Sequence, residues 1–152
     1  MNERLALLLP LALAISAVAA GCGGSDNSDS GPAPTKAGFT KQADDICGKA
    51  YKELQSEIED KFGNKTPSQE EAVAFTEDTI IPNLEGQLSD LQDLTPPDGD
   101  DEAVGAVFET LGKDIDTLKS DPESSLSPDA MDASLKKAEE YGFDNCGSGG
   151  SA

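Results

Sequence analysis

The stretch FTKQADDICGKAYKELQSEIEDKF, residues 39–62, decides the fold. Its apolar residues Phe39, Ala43, Ile46, Ala50, Leu54, Ile58 and Phe62 recur at steps of three and four, with Cys47 and Tyr51 beside them. Since about 3.6 residues complete a helical turn, that spacing gathers them on one face of a long helix. The charged residues between them cover the opposite face, so the helix must bury one side against partners. Gly63-Asn64 supplies its stop.

The same period returns three more times toward the C-terminus. Thr66-Pro67-Ser68-Gln69 predicts a second helix, with a cap, a proline at the first helical position and a capping-box glutamine. Its inward residues are Val73, Phe75, Ile80, Ile81, Leu84, Leu88, Leu91 and Leu94. Pro82 lies inside this pattern and lacks a backbone donor, which predicts a kink or short break near Ile81. Thr95-Pro96-Pro97 ends the helix. A third follows Asp98-Gly99-Asp100-Asp101-Glu102, whose carboxylates suit helix caps and the positive end of the helix dipole. Val104, Val107, Phe108, Leu111, Ile115 and Leu118 form its apolar face, and Ser120-Asp121-Pro122 breaks it. Ser127-Pro128-Asp129 predicts the start of a short fourth helix, with Ala130, Met131, Leu135, Ala138 and Tyr141 inward. Gly142 suits a left-handed cap, and Phe143 folds back onto the preceding turn. Strand-like alternation, internal repeats and sustained heptads are absent. The expected fold is all-α: a small up-and-down bundle of about four helices over residues 39–146.

A chain with 36% apolar residues, fifteen of them in the first 21 positions, has little left to build a core. A covalent staple then matters more than in a larger protein. Cys47 on the first helix and Cys146 after the last can supply it, closing a loop of about 100 residues worth roughly 4.7 kcal/mol in the chain-entropy model. A redox pair or metal ligands would be the other use of these cysteines. The Cys-x-x-Cys spacing is missing and the chain has no histidine, so neither is favoured.

The N-terminus has a different character. Glu3 and Arg4 precede an uncharged run from Leu5 to Ala20, which ends in Ala19-Ala20-Gly21-Cys22. A charged start, an apolar core and small residues before a cleavage point make a secretory signal over residues 1–21. With cysteine directly after the small residues, the segment resembles the signals of bacterial membrane lipoproteins. That resemblance implies that Cys22 carries a diacylglyceryl thioether and holds the chain on the outer face of a membrane, in an oxidising compartment. Ala17-Val18-Ala19 also suits ordinary signal cleavage, which would give a soluble secreted chain. An uncut anchor is short of the roughly 20 apolar residues a span needs and contains Pro10. Residues 23–38, rich in Gly, Ser, Asp and Pro, read as a flexible tether of roughly 20–25 Å after Cys22, and residues 147–152 as a flexible tail. The Ala-Asp-Asp-Ile-Cys run at 43–47, Leu-x-x-Leu-Thr-Pro-Pro at 91–97 and Tyr-Gly-Phe-x-x-Cys at 141–146 make the mature part similar to small uncharacterised lipoproteins of high-GC Gram-positive bacteria. Those bring no established activity with them.

Charge narrows function further. Thirty acidic residues face eleven basic ones, a net charge of −19, which repels nucleic acid and anionic lipid. Contact with a membrane is therefore expected through the lipid anchor alone. Without histidine or a Gly-x-Ser-x-Gly elbow, the usual general bases and serine nucleophiles are missing, so no enzymatic activity is expected. The same lack disfavours di-iron and haem sites, and no cofactor is expected. Acidic neighbours such as Asp44-Asp45, Glu70-Glu71, Asp114 with Asp116 and Glu139-Glu140 point in different directions on a helix and read as solvated faces. Asp98, Asp100, Asp101 and Glu102 are weak candidates for a cation, better read as caps and dipole partners; no metal site is expected.

Two function classes remain. One is an envelope lipoprotein that binds a partner protein or small ligand, which calls for an exposed apolar patch or a lined pocket. The other is an acidic cation-binding or envelope-spacing secreted protein, which calls for clustered carboxylates and no such pocket. Cys22→Ser is expected to abolish labelling by a palmitate analogue and to release the chain from the membrane fraction. Membrane retention equal to the parent's would place the anchor elsewhere.

Overall fold

The computed structural model describes residues 33–148, and these form a bundle of helices stapled by one disulfide. The signal segment, Cys22, most of the proposed tether and the end of the tail lie outside the described residues.

Helix α1 spans Lys36–Phe62 and starts three residues before Phe39, so the segment ending at Gly38 is not all tether. The reason is a cap: the Thr35 hydroxyl accepts from the Gly38 backbone N–H at 3.1 Å. Gly63, with φ 55°, closes the other end by donating to the Glu59 carbonyl.

The second arm is α2 (Gln69–Phe75), a π-helical turn (Thr76–Ile80) and α3 (Ile81–Gln92) in unbroken succession. It opens at Ser68, two residues after the expected Thr66 cap. Ser68 and Glu71 make the capping box: the Ser68 N–H donates to the Glu71 carboxylate at 2.8 Å, and the Ser68 hydroxyl accepts from the Glu71 N–H at 3.3 Å. The Ser68 backbone N–H and hydroxyl hold the Glu71 carboxyl below its usual range, whereas the Gln69 amide offers no charge to the helix dipole. Pro67 lies outside the cap, where a missing donor costs nothing. Pro82 causes no break either. The turn before it widens so that the Ile81 N–H reaches the Thr76 carbonyl five residues back, which relieves the crowding between a proline ring and the turn behind it.

Helix α4 (Asp101–Ser120) contributes Val104, Val107, Phe108, Leu111, Ile115 and Leu118 to the core, as its periodicity predicts. Asp100 stands at its N-cap position without capping it. Its carboxylate instead accepts from the Tyr141 hydroxyl at 2.7 Å, across the bundle. Burial, followed by this hydrogen bond, pushes the Tyr141 phenol above its ordinary value, and Lys36 lies 4.1 Å from the ring centroid.

The fourth arm departs most from expectation. Pro122–Leu126 forms a 3-10 turn, and α5 runs from Asp132 to Tyr141, beginning after the expected start at Ser127-Pro128-Asp129. Ser127 donates to the Asp129 side chain, and such local bonding competes with helix formation. With Met131 at the N-cap position, the cap comes from another helix: the Ser134 N–H donates to the Asp114 carboxylate of α4 at 3.1 Å. Asp114 is thus not part of a solvated pair.

After α5 the chain folds back as expected. Gly142 is left-handed (φ 108°), and the Phe143 N–H bonds the Ala138 carbonyl at 2.9 Å. Phe143 packs with Phe39 and Tyr141, ring centroids 4.9–6.1 Å apart, and closes one end of the core. A last turn, α6 (Asp144–Gly147), carries Cys146 to Cys47, with Cα atoms 5.2 Å apart. Gly147 belongs to this turn rather than to a loose tail. A Cβ there would come within 2.9 Å of the Glu139 backbone, so α6 can approach α5 this closely only with glycine.

Packing runs from α1 to α3, α3 to α4 and α4 to α5, with α6 joining α5 to α1. Loss of the staple should therefore loosen the whole ring. Cys146→Ser is expected to destabilise by about 3–5 kcal/mol and to lower the melting temperature by at least about 10 °C, read by circular dichroism. A melting temperature equal to the parent's would contradict this.

Candidate functional site

Because α5 packs on α4 and α6 rather than along α1, a gap is left on that side of the bundle. The gap is an apolar cleft of about 180 Å³. Leu91 of α3 with Val107 and Leu111 of α4 line its inner part, all three buried in the core. Leu54 of α1, Leu84 of α3, Met131 just before α5 and Leu135 of α5 line it further, each half-buried and so facing open space as well as core. The disulfide and Phe143 line it too. No lining side chain is charged, although 27% of the chain's residues are.

The polar groups in the lining are neutral. Asn83 donates from its side-chain amide to the Ala50 carbonyl at 3.2 Å, which ties α3 to α1 and leaves its carbonyl oxygen available. The Ser134 hydroxyl is used locally, donating to the Met131 carbonyl. Gln87 and the Tyr51 hydroxyl, both on half-buried residues, have no hydrogen-bond partner among the described residues. The cleft therefore offers an apolar interior with a few hydrogen-bonding groups that carry no charge, which is the general make-up of a small-molecule site.

The cleft keeps its shape through Asp44. Its carboxylate accepts backbone N–H bonds from Asp144 at 3.1 Å, Asn145 at 2.7 Å and Cys146 at 3.2 Å. The Asn145 side chain in turn donates to the Asp44 carbonyl at 3.2 Å. These bonds satisfy the free donors at the start of α6 and place a negative charge where the helix dipole favours one. Together with the disulfide they hold α6 across the gap between α5 and α1. Asp44 reads from sequence as half of a solvated pair; only its neighbour Asp45 behaves so, exposed and bonded to Lys41. Nothing local marks Asp44, because its partners lie 100–102 residues away.

The other sequence candidates do not converge. Cys22 lies outside the described residues. Asp98, Asp101 and Glu102 are exposed, Asp100 is engaged by Tyr141, and among the described residues no three His, Cys, Asp or Glu side chains group so as to hold a metal ion. Nor is any helix among them long and apolar enough to cross a membrane. The cleft itself was not visible in the helical periodicity, since Leu54, Leu84 and Leu135 have the spacing of core residues. No family model, curated protein or solved structure matches the chain.

Asp44→Ala should raise amide hydrogen exchange at Asp144, Asn145 and Cys146 by about tenfold, as expected for loss of a cap worth roughly 1–2 kcal/mol. Asp45→Ala should leave those amides unchanged. Equal exchange in parent and Asp44→Ala would show that the disulfide alone holds α6.

Proposed function

We propose that this chain is a lipid-anchored extracytoplasmic binding protein, without catalytic activity, that takes a small ligand into the cleft between α1, α3, α4 and α5. The observation that carries the reading is an uncharged, apolar cleft in a highly charged domain. A protein of net charge −19 that needed only a stable core would gain by closing this gap, since unfilled apolar space forfeits packing contacts. Asp44 and the disulfide instead brace the gap at one end.

The signal segment and Cys22 support a location on the outer face of the cell membrane, with a short polar tether before the domain. The acidic surface in this reading keeps the domain soluble and away from anionic lipid headgroups. The alternative of an acidic cation-binding spacer draws no support from the arrangement of the carboxylates, several of which serve as helix caps.

A titration with 2-naphthol, a neutral fluorescent molecule, tests the reading. Binding is expected to saturate at one molecule per chain. It should weaken at least tenfold in Ala138→Leu, which adds side-chain volume inside the cleft. Non-saturating binding, or equal binding by a folded Ala138→Leu variant, would contradict a cleft that serves as a binding site.

A further inference from the structure

Resting on that reading of the cleft, we infer its ligand class: an uncharged amphiphile with one short hydrocarbon group, about six to eight carbons, and a neutral hydrogen-bonding head that meets Gln87 and Tyr51.

Three observations carry this. The first is size. A volume of about 180 Å³ is close to the roughly 150 Å³ of an apolar cavity that takes up benzene, so the cleft holds a hydrocarbon group of that order and no more. A longer chain must continue outside it.

The second is charge. An ionic head brought to the cleft finds no counter-charge in the lining, and moving a charge toward apolar surroundings without a partner is costly. An anionic head is opposed in addition by the field of a net −19 chain, whereas a cationic head is drawn to the many exposed carboxylates of the surface rather than to an uncharged lining. The nearest carboxylates, Asp44 and Asp114, are already bonded to backbone N–H groups. A neutral head meets neither penalty, and hydrogen bonds can offset the hydration it loses.

The third is the placement of unused hydrogen-bonding groups. Gln87 supplies both donors and an acceptor, the Tyr51 hydroxyl can do either, and Asn83, one helical turn before Gln87, bonds through its amide to Ala50, the chain neighbour of Tyr51, and keeps its carbonyl oxygen free. An alcohol, ester or amide head matches this set. The exposed acids of α1 and α3 play no part in it.

The test uses the full chain and three eight-carbon probes, 1-octanol, octanoate and octylammonium, at pH 7 and 0.15 M salt, followed by methyl chemical shifts of Leu84, Leu135 and Met131. Octanol is expected to bind saturably at these methyls, with octanoate and octylammonium at least tenfold weaker there. Across straight-chain alcohols, affinity should rise about fourfold per methylene, the factor for burying one methylene, and level off beyond about eight carbons. Gln87→Lys should bring octanoate affinity up to that of octanol by giving the carboxylate a partner.

Tightest binding of either charged probe at these methyls overturns the ligand class while leaving a small-ligand cleft in place. So does a failure of all three probes when 2-naphthol binds. If neither naphthol nor any eight-carbon probe shifts these methyls, the cleft is not a binding site and both inferences fall. An unchanged preference in a folded Gln87→Lys variant overturns the placement of the head.

Discussion

The fold depends on how the end of the chain is held to its beginning. Four helical arms packed in sequence make three interfaces, and the seam between the first and last arms would otherwise stay open. Here α6 crosses that seam, fixed to α1 by the Cys47–Cys146 bond and by the Asp44 carboxylate bonded to three consecutive backbone N–H groups. A covalent link alone sets a distance. The Asp44 bonds also set an orientation, because three donors in one short turn can converge on a carboxylate in few arrangements. Phe143 then packs against Phe39 and Tyr141 just before the link, so covalent, polar and aromatic contacts act at the same end of the bundle.

Much of this architecture was legible in the sequence, for reasons that differ by element. The three- and four-residue spacing of Phe39 to Phe62 and of Val104 to Leu118 is long enough to leave one reading, and Gly142 and Phe143 have a local partner in Ala138 that fixes their geometry. The pairing of Cys47 with Cys146 also followed, from the need of a weakly apolar domain for a covalent staple. Helix starts were less legible. Ser68 prevailed over Thr66 because a carboxylate three residues on completes the box, and Ser127-Pro128-Asp129 closed on itself as a turn instead of opening α5. Pro82 was absorbed by one widened turn, since that costs less than interrupting a helix whose two halves both face the core.

The acidic residues show why the candidate site was harder to read. Asp44, Glu71, Asp100 and Asp114 look in sequence like members of charge runs. Glu71 caps its own helix from within reach of local rules. Asp44 and Asp114 cap helices that start 100 and 18 residues later, and Asp100 receives a hydroxyl 41 residues away. Each is a tertiary contact made by a residue type whose default place is solvent. Once these bonds fix α5 and α6, the gap beside α1 follows as geometry, and Leu54, Leu84 and Leu135 find themselves at its edge instead of sealed in a core. No charged side chain lines the gap, although carboxylates of Asp44 and Asp114 bond the backbone of residues at its wall.

The central claim is that the braced gap is a true apolar cleft, persistent and able to hold a nonpolar guest, and not a loosely packed stretch that closes in solution. Crystals of the domain pressurised with xenon test it most directly, since apolar cavities of this size take up xenon without displacing their walls. The account predicts an ordered xenon atom bounded by Leu84, Leu111 and Leu135, with side chains and helix positions unchanged from the xenon-free crystal. An unoccupied cleft under pressure, a gap closed by movement of α5 toward α1, or a string of ordered waters in place of the guest would contradict it.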